Sequence, residues 1–270
     1  MDWVQLISSV VIGLGAGLLG GLAGVGGSIL ILPSLGMVFG YPNSSTHHLY
    51  MAAAMTVNVA VAIPAALRHR QAGLVRMDLL RVLVPVTAAW LAVGVIASNF
   101  LPGWQLQILL AVFLVGYCAY LVWSAVAQRA EAGEGQQRIT TPRLAVSAAL
   151  AGSTAGLLGL GGGVLQVPLL QVLCKVPLRQ AIGTSSAVIC LTAVVGAGLK
   201  LATLRGEGES AWEALVLAAV MIPTAVLGAR LGAGLMHKLP LNAVRVAITV
   251  VLLISAWRLA AAGGKMAGWW

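Results

Sequence analysis

Charge is what this sequence has least of. Only 9% of its 270 residues are charged, 60% are hydrophobic, and mean hydropathy is +0.97. A soluble domain carries about 25% charged residues. The composition describes an integral membrane protein built of helices. Acidic residues are scarcer still: the seven carboxylates are Asp2, Asp78, Glu131, Glu134, Glu207, Glu209 and Glu213, and each is expected in a loop or at a terminus. A transported cation, or a carboxylate proton relay, leaves an acidic side chain inside the membrane. Its lack here favours an anion as substrate. Cysteine is limited to Cys118, Cys174 and Cys190, which lack the paired spacing of a disulfide or a metal site and read as small buried hydrophobes. A Gly-Lys-Ser/Thr phosphate loop is missing, which argues against direct driving by ATP. No basic patch is interleaved with aromatics, so the net charge of +9 speaks for membrane orientation rather than nucleic acid. Met1-Asp2-Trp3 lacks the basic region of a cleavable signal, so the first apolar run is expected to belong to the mature protein.

Glycine, by contrast, is abundant and ordered. Residues 20–33 read GGLAGVGGSILILP, and residues 155–168 read AGLLGLGGGVLQVP. Slid onto each other, Gly21, Gly24, Gly26, Gly27, Leu30 and Pro33 fall on Gly156, Gly159, Gly161, Gly162, Leu165 and Pro168, and Pro42 falls on Pro177. This is an internal duplication. Gly13/Gly17, Gly20/Gly24, Gly152/Gly156 and Gly228/Gly232 have the spacing of close helix crossings. Gly26-Gly27-Ser28 and Gly161-Gly162-Gly163 hold more glycine than a crossing needs and read as helix breaks. Matching broken helices in two halves point to a transporter's binding site, where unwound backbone is covered by protein.

Residues 4–40 would make one helix about 55 Å long at 1.5 Å per residue, against a hydrocarbon layer of about 30 Å, so the run must break. Spans follow at about 49–67, 83–97 and 104–123, with a charged loop at Arg68, Arg70, Arg76, Asp78 and Arg81. The polar stretch 124–143 is a linker facing the cytoplasm. The plan then repeats, with a broken run at 144–173 and spans at about 181–199, 214–229 and 241–257. If each broken run enters and returns on its own side, the positive loops, the linker, Lys175/Arg179 and Arg230/Lys238 all lie inside, and the loop 200–213 lies outside. The expected architecture is therefore all-α: two related halves, 1–123 and 144–270, forming an inverted repeat. Each half is a Gly-broken hairpin followed by about three transmembrane helices.

The paired glycine motifs ending in Pro, the run Ala181-Ile182-Gly183-Thr184-Ser185-Ser186, and Ile222-Pro223 with Leu227-Gly228-Ala229-Arg230-Leu231-Gly232 resemble the TauE/SafE sulfite exporter family, also called the TSUP permeases. The resemblance covers nearly the whole chain. It implies a multi-pass secondary transporter of the bacterial inner membrane, exporting sulfite, sulfonates or sulfoacetate. The first copy departs from the second by having His48-Leu49-Tyr50-Met51 where the second has Gly183-Thr184-Ser185-Ser186.

An anion site without cations would use donors alone. Helices restarting after Gly27 and Gly163 would present backbone N–H groups and about half a positive charge each. Ser28, Gln166, Thr184, Ser185 and Ser186 either add side-chain donors or bond the helix backbone. Asn58, mid-span, is a site residue or interhelical glue. His48 could carry a proton, and His47 reads as an interfacial cap. Lys200 and Arg68 are expected to snorkel from span ends. The literal dinucleotide fingerprint at 15–20 has neither a preceding strand nor a following acidic residue. No cofactor or metal is expected, and the partners are a small anion and the bilayer. An anion channel of the same fold is the alternative. A membrane enzyme built on His47 and His48 lacks a metal or nucleophile cluster.

Overall fold

The computed structural model describes residues 3–23, 26–126, 137–161, 163–235 and 241–268. Asp2, Gly24, Glu131, Glu134, Gly162, Lys238, Trp269 and Trp270 lie outside the described residues. Every regular element among those described is helical: α1 (Trp3–Ala23), α2 (Ser28–Phe39), α3 (Thr46–Gln71), α4 (Met77–Ser98), α5 (Gly103–Val126), α6 (Thr141–Leu158), α7 (Gln166–Leu173), α8 (Leu178–Thr203), α9 (Ala211–Leu235) and α10 (Leu241–Met266). A 3₁₀ turn, Leu204–Glu207, extends α8. Seven of these segments are long and apolar enough to cross a membrane, and α2 is a shorter apolar helix. Trp3, Trp90 and Trp257 are exposed on the bundle's outer surface.

Both broken runs fold back on themselves. Gly26, at φ +80°, takes a left-handed conformation just before α2, and an added Cβ on Gly20 would meet the backbone of Gly26 and Gly27. The second break is longer. Gly159 (φ +73°) caps α6 with its N–H on Ala155 O, Gly161 (φ +68°) turns the chain again, and α7 starts only at Gln166. At the open end of this hairpin, the Arg138 N–H donates to Cys174 O at 2.9 Å, so the chain leaves α7 where it entered α6.

The halves pack by exchange. α1 lies along α9, and α6, its counterpart by the 135-residue shift, lies along α4. The glycines explain the closeness: a Cβ on Gly17 would overlap the backbone of Ala225, and one on Gly156 would overlap that of Leu91. The central helices α3 and α8 pack on each other, as do α5 and α10. One end of the bundle gathers basic chain. Arg76 Nη1 donates to Gln137 Oε1 at 3.0 Å and to Gln180 Oε1 at 3.5 Å, joining the first loop, the linker and the start of α8. At the other end Ser45 Oγ donates to Glu209 Oε1 at 2.8 Å. These groupings are compatible with the inverted repeat.

The helices run further than the sequence suggests. Arg68 and Arg70 belong to the last turn of α3, and Asp78 and Arg81 to α4 rather than to a loop. Asp78 sits in a first turn, where a carboxylate is favoured, and holds Arg76 at 2.7 Å. Likewise α5 and α6 extend a few residues into the stretch 124–143.

Candidate functional site

The two hairpin tips meet beside α3, and Asn58 stands between them. It is fully buried. Its Oδ1 accepts the Gly27 N–H at 2.9 Å, which ties the first tip to α3. Its Nδ2 is buried without a hydrogen-bond partner among the described residues and lies against Gly161 of the second tip. A Cβ on Gly26 or on Gly161 would overlap the Asn58 amide, so glycine is required at both positions by space as well as by φ. Ser28 joins the tips directly, its Oγ donating to Leu160 O at 2.7 Å.

Ser185 on α8 completes the inner wall, with Oγ donating to Gly163 O at 3.2 Å. Gln166 is fully buried at the start of α7; its Nε2 reaches Ser147 Oγ at 3.5 Å while Oε1 has no partner among the described residues. A buried polar atom left unpaired costs about 1–3 kcal/mol, so an uncommitted amide donor and amide acceptor both mark places where a guest's polar atoms would be welcome. Gly26, Gly27, Ser28, Asn58, Gly161, Gly163 and Ser185 thus come together at one junction. Gly162 falls outside the described residues.

The other candidates sit elsewhere. Ser186 Oγ is spent on Ile182 O of its own helix at 3.0 Å. Thr184 Oγ1 accepts the Arg76 N–H at 3.1 Å and so anchors the entry to α4 at the basic end. His48 lies ten residues before Asn58 on α3, about 15 Å away along the axis, at the Glu209 end. The helix does not restart directly after Gly163: Val164 and Leu165 form a turn, and α7 begins at Gln166.

Lys200 does not snorkel. It is fully buried, because α8 continues to Thr203 and carries it under the chain rather than out of it. Its Nζ donates to His48 Nδ1 at 2.8 Å, Ser98 Oγ at 3.0 Å and Asn99 Oδ1 at 2.7 Å. An ammonium only donates, so Nδ1 of His48 accepts and Nε2 carries the proton, donating to Leu101 O at 3.2 Å. No spacing in the sequence joins Lys200 to His48; only the crossing of α3, α4 and α8 does.

Comparison with known proteins agrees with the membrane architecture. A family model described as Sulfite exporter TauE/SafE matches residues 9–259. The chain is 31% identical over 263 residues to the probable membrane transporter protein MamO of Magnetospirillum gryphiswaldense, covering 86% of this chain and 41% of that protein. It is 24% identical over 268 residues to the probable membrane transporter protein YunE of Bacillus subtilis, covering 93% and 96%. The chain spans about two fifths of the length of the MamO proteins it matches. No solved structure matches.

Proposed function

The chain belongs to the sulfite exporter TauE/SafE family, a family of membrane transporters, and from that premise we propose that it carries a small sulfur-containing oxyanion, of the sulfite or sulfonate class, out across the bacterial inner membrane. The observation that carries this reading is the Asn58 amide: one half ties down a hairpin tip, and the other, Nδ2, is a buried donor with no partner among the described residues. A carboxamide N–H₂ offers protons only, which suits an anion and repels a cation. The unwound tips supply backbone at close range, because no Cβ shields Gly26 or Gly161.

Transport would proceed by moving the tips. In the arrangement described, Ser28 and Asn58 close the junction from both sides. An anion that takes the Asn58 N–H₂ gains what the protein leaves unmade, and separating the Ser28–Leu160 bond would open the junction toward one end. The proton gradient or the membrane potential would drive the cycle.

The experiment is thermal unfolding of the purified chain across sulfite, thiosulfate, alkanesulfonates and carboxylates. A saturable rise in Tm with the sulfur oxyanions, about 2.7 kcal/mol of stabilisation at one hundred times Kd, is expected. Equal response to every anion, or to none, contradicts the substrate class.

A further inference from the structure

Lys200 is a fully buried amine that no carboxylate touches among the described residues, and Glu207 acts on it only from a distance. Its three hydrogen-bond partners, His48 Nδ1, Ser98 Oγ and Asn99 Oδ1, are all neutral acceptors. Among the described residues no carboxylate oxygen comes within 4.0 Å of its ammonium. Glu207 approaches the other side of the imidazole, 3.7 Å from His48 Nε2, and is itself partly exposed. Buried charges are ordinarily paired in direct contact with an opposite charge, and the Lys200 ammonium meets only neutral acceptors at that range.

The neighbourhood holds uncommitted polar atoms as well. His47, next in the chain to His48, is fully buried, and neither ring nitrogen has a partner among the described residues. It lies within electrostatic reach of Lys200 and packs on Tyr41 at 5.7 Å between ring centroids. The Tyr41 hydroxyl is buried and unpartnered too, as is Ser44 Oγ. Gly103, at the start of α5, is in contact with both Ser44 O and His47 Cβ, so these residues form one cluster at the Glu209 end. A purely structural cluster would satisfy its donors internally; this one leaves a donor each on His47, Tyr41 and Ser44 unpaired among the described residues.

We propose that Lys200, positioned by His48, and His47 form a second binding station for a small oxyanion, at the Glu209 end of the bundle. The station rests on the reading of the chain as an anion carrier but uses none of the residues at the hairpin tips. An anion entering it pairs with Lys200 in exchange for the Ser98 or Asn99 bond and takes hydrogen bonds from His47 or Tyr41. The chain thus offers two stops about 15 Å apart, one made of amides and one of a fixed charge.

Equilibrium dialysis of the purified full chain with ³⁵S-labelled sulfite tests this. Two sulfites per chain are expected for the wild type, and one each for Lys200→Met and for Asn58→Leu. A wild type that binds one sulfite, lost in Asn58→Leu, overturns the station while leaving the carrier reading in place. So does a Lys200→Met protein that still binds two. A wild type that binds none overturns both. Should Lys200→Met fail to fold, the wild-type count and the single sulfite retained by Asn58→Leu still decide.

Discussion

At the middle of α3 one carboxamide touches both halves of the chain, and the neighbouring side chains show how little slack surrounds it. Ser28 makes the only side-chain bond described between the two tips, to Leu160 O. Ser28→Ala removes that donor and leaves a buried carbonyl oxygen unpaired, which should cost about 1–3 kcal/mol and lower Tm in detergent. An unchanged Tm would mean that the tips are held by packing alone. Part of this was legible beforehand. Asn58 stood out because an amide in an apolar span needs a partner, and Ser28 because it follows the glycine break. Lys200 was not legible as a buried group, since its neighbours along the chain look like the end of a span; the acceptors that bury it, on α3 and α4, are 101 to 152 residues away. His48 and Gly183 fall on each other in the duplicated pattern, yet the fold sets His48 beside Glu207 and Gly183 against Leu74, at opposite ends of the bundle.

For the helices, the glycines divide into those that cross and those that bend. Gly156 crosses: its ordinary helical position leaves no room, because a Cβ would overlap Leu91 O and come within 2.8 Å of Val95 N. Gly156→Ala should therefore destabilise by about 1–3 kcal/mol through overpacking. Gly198 on α8 has nothing within 4 Å of a built Cβ, so Gly198→Ala should be neutral or gain about 0.5–1 kcal/mol of helix propensity. Paired thermal melts of the two variants check the distinction, and equal melts would refute it. The breaks themselves could be placed from sequence, because positive φ at Gly26, Gly159 and Gly161 is a demand that glycine meets alone without strain. The start of α7 could not be placed, because Val164 and Leu165 are apolar residues that fit a helix as well as the turn they occupy.

Across the whole molecule, the arrangement depends on which loops share a side. Arg179 and Arg205 are both exposed and lie near opposite ends, the first beside Gln180 at the basic end and the second in the 3₁₀ turn with Glu207. In a background with Cys118, Cys174 and Cys190 replaced by Ala, an impermeant maleimide added outside intact cells should label Arg205→Cys and spare Arg179→Cys. Labelling of both or the reverse pattern would overturn the inverted orientation. Loop charge argues for this orientation because basic residues are retained on the cytoplasmic side, whereas the pairing of α1 with α9 and of α6 with α4 has no signature in one sequence beyond small residues at the crossings.

Sulfite flux into liposomes holding the full chain, compared between the wild type and Asn58→Leu, tests the hairpin-tip site most directly. Uptake by the wild type should saturate with concentration, and Asn58→Leu, folded and correctly inserted, should lose it by about 10- to 100-fold, as expected when a hydrogen bond worth about 1.5–3 kcal/mol to a charged guest is removed. Undiminished saturable uptake by Asn58→Leu, or a current that rises linearly with potential in the wild type, would contradict the account.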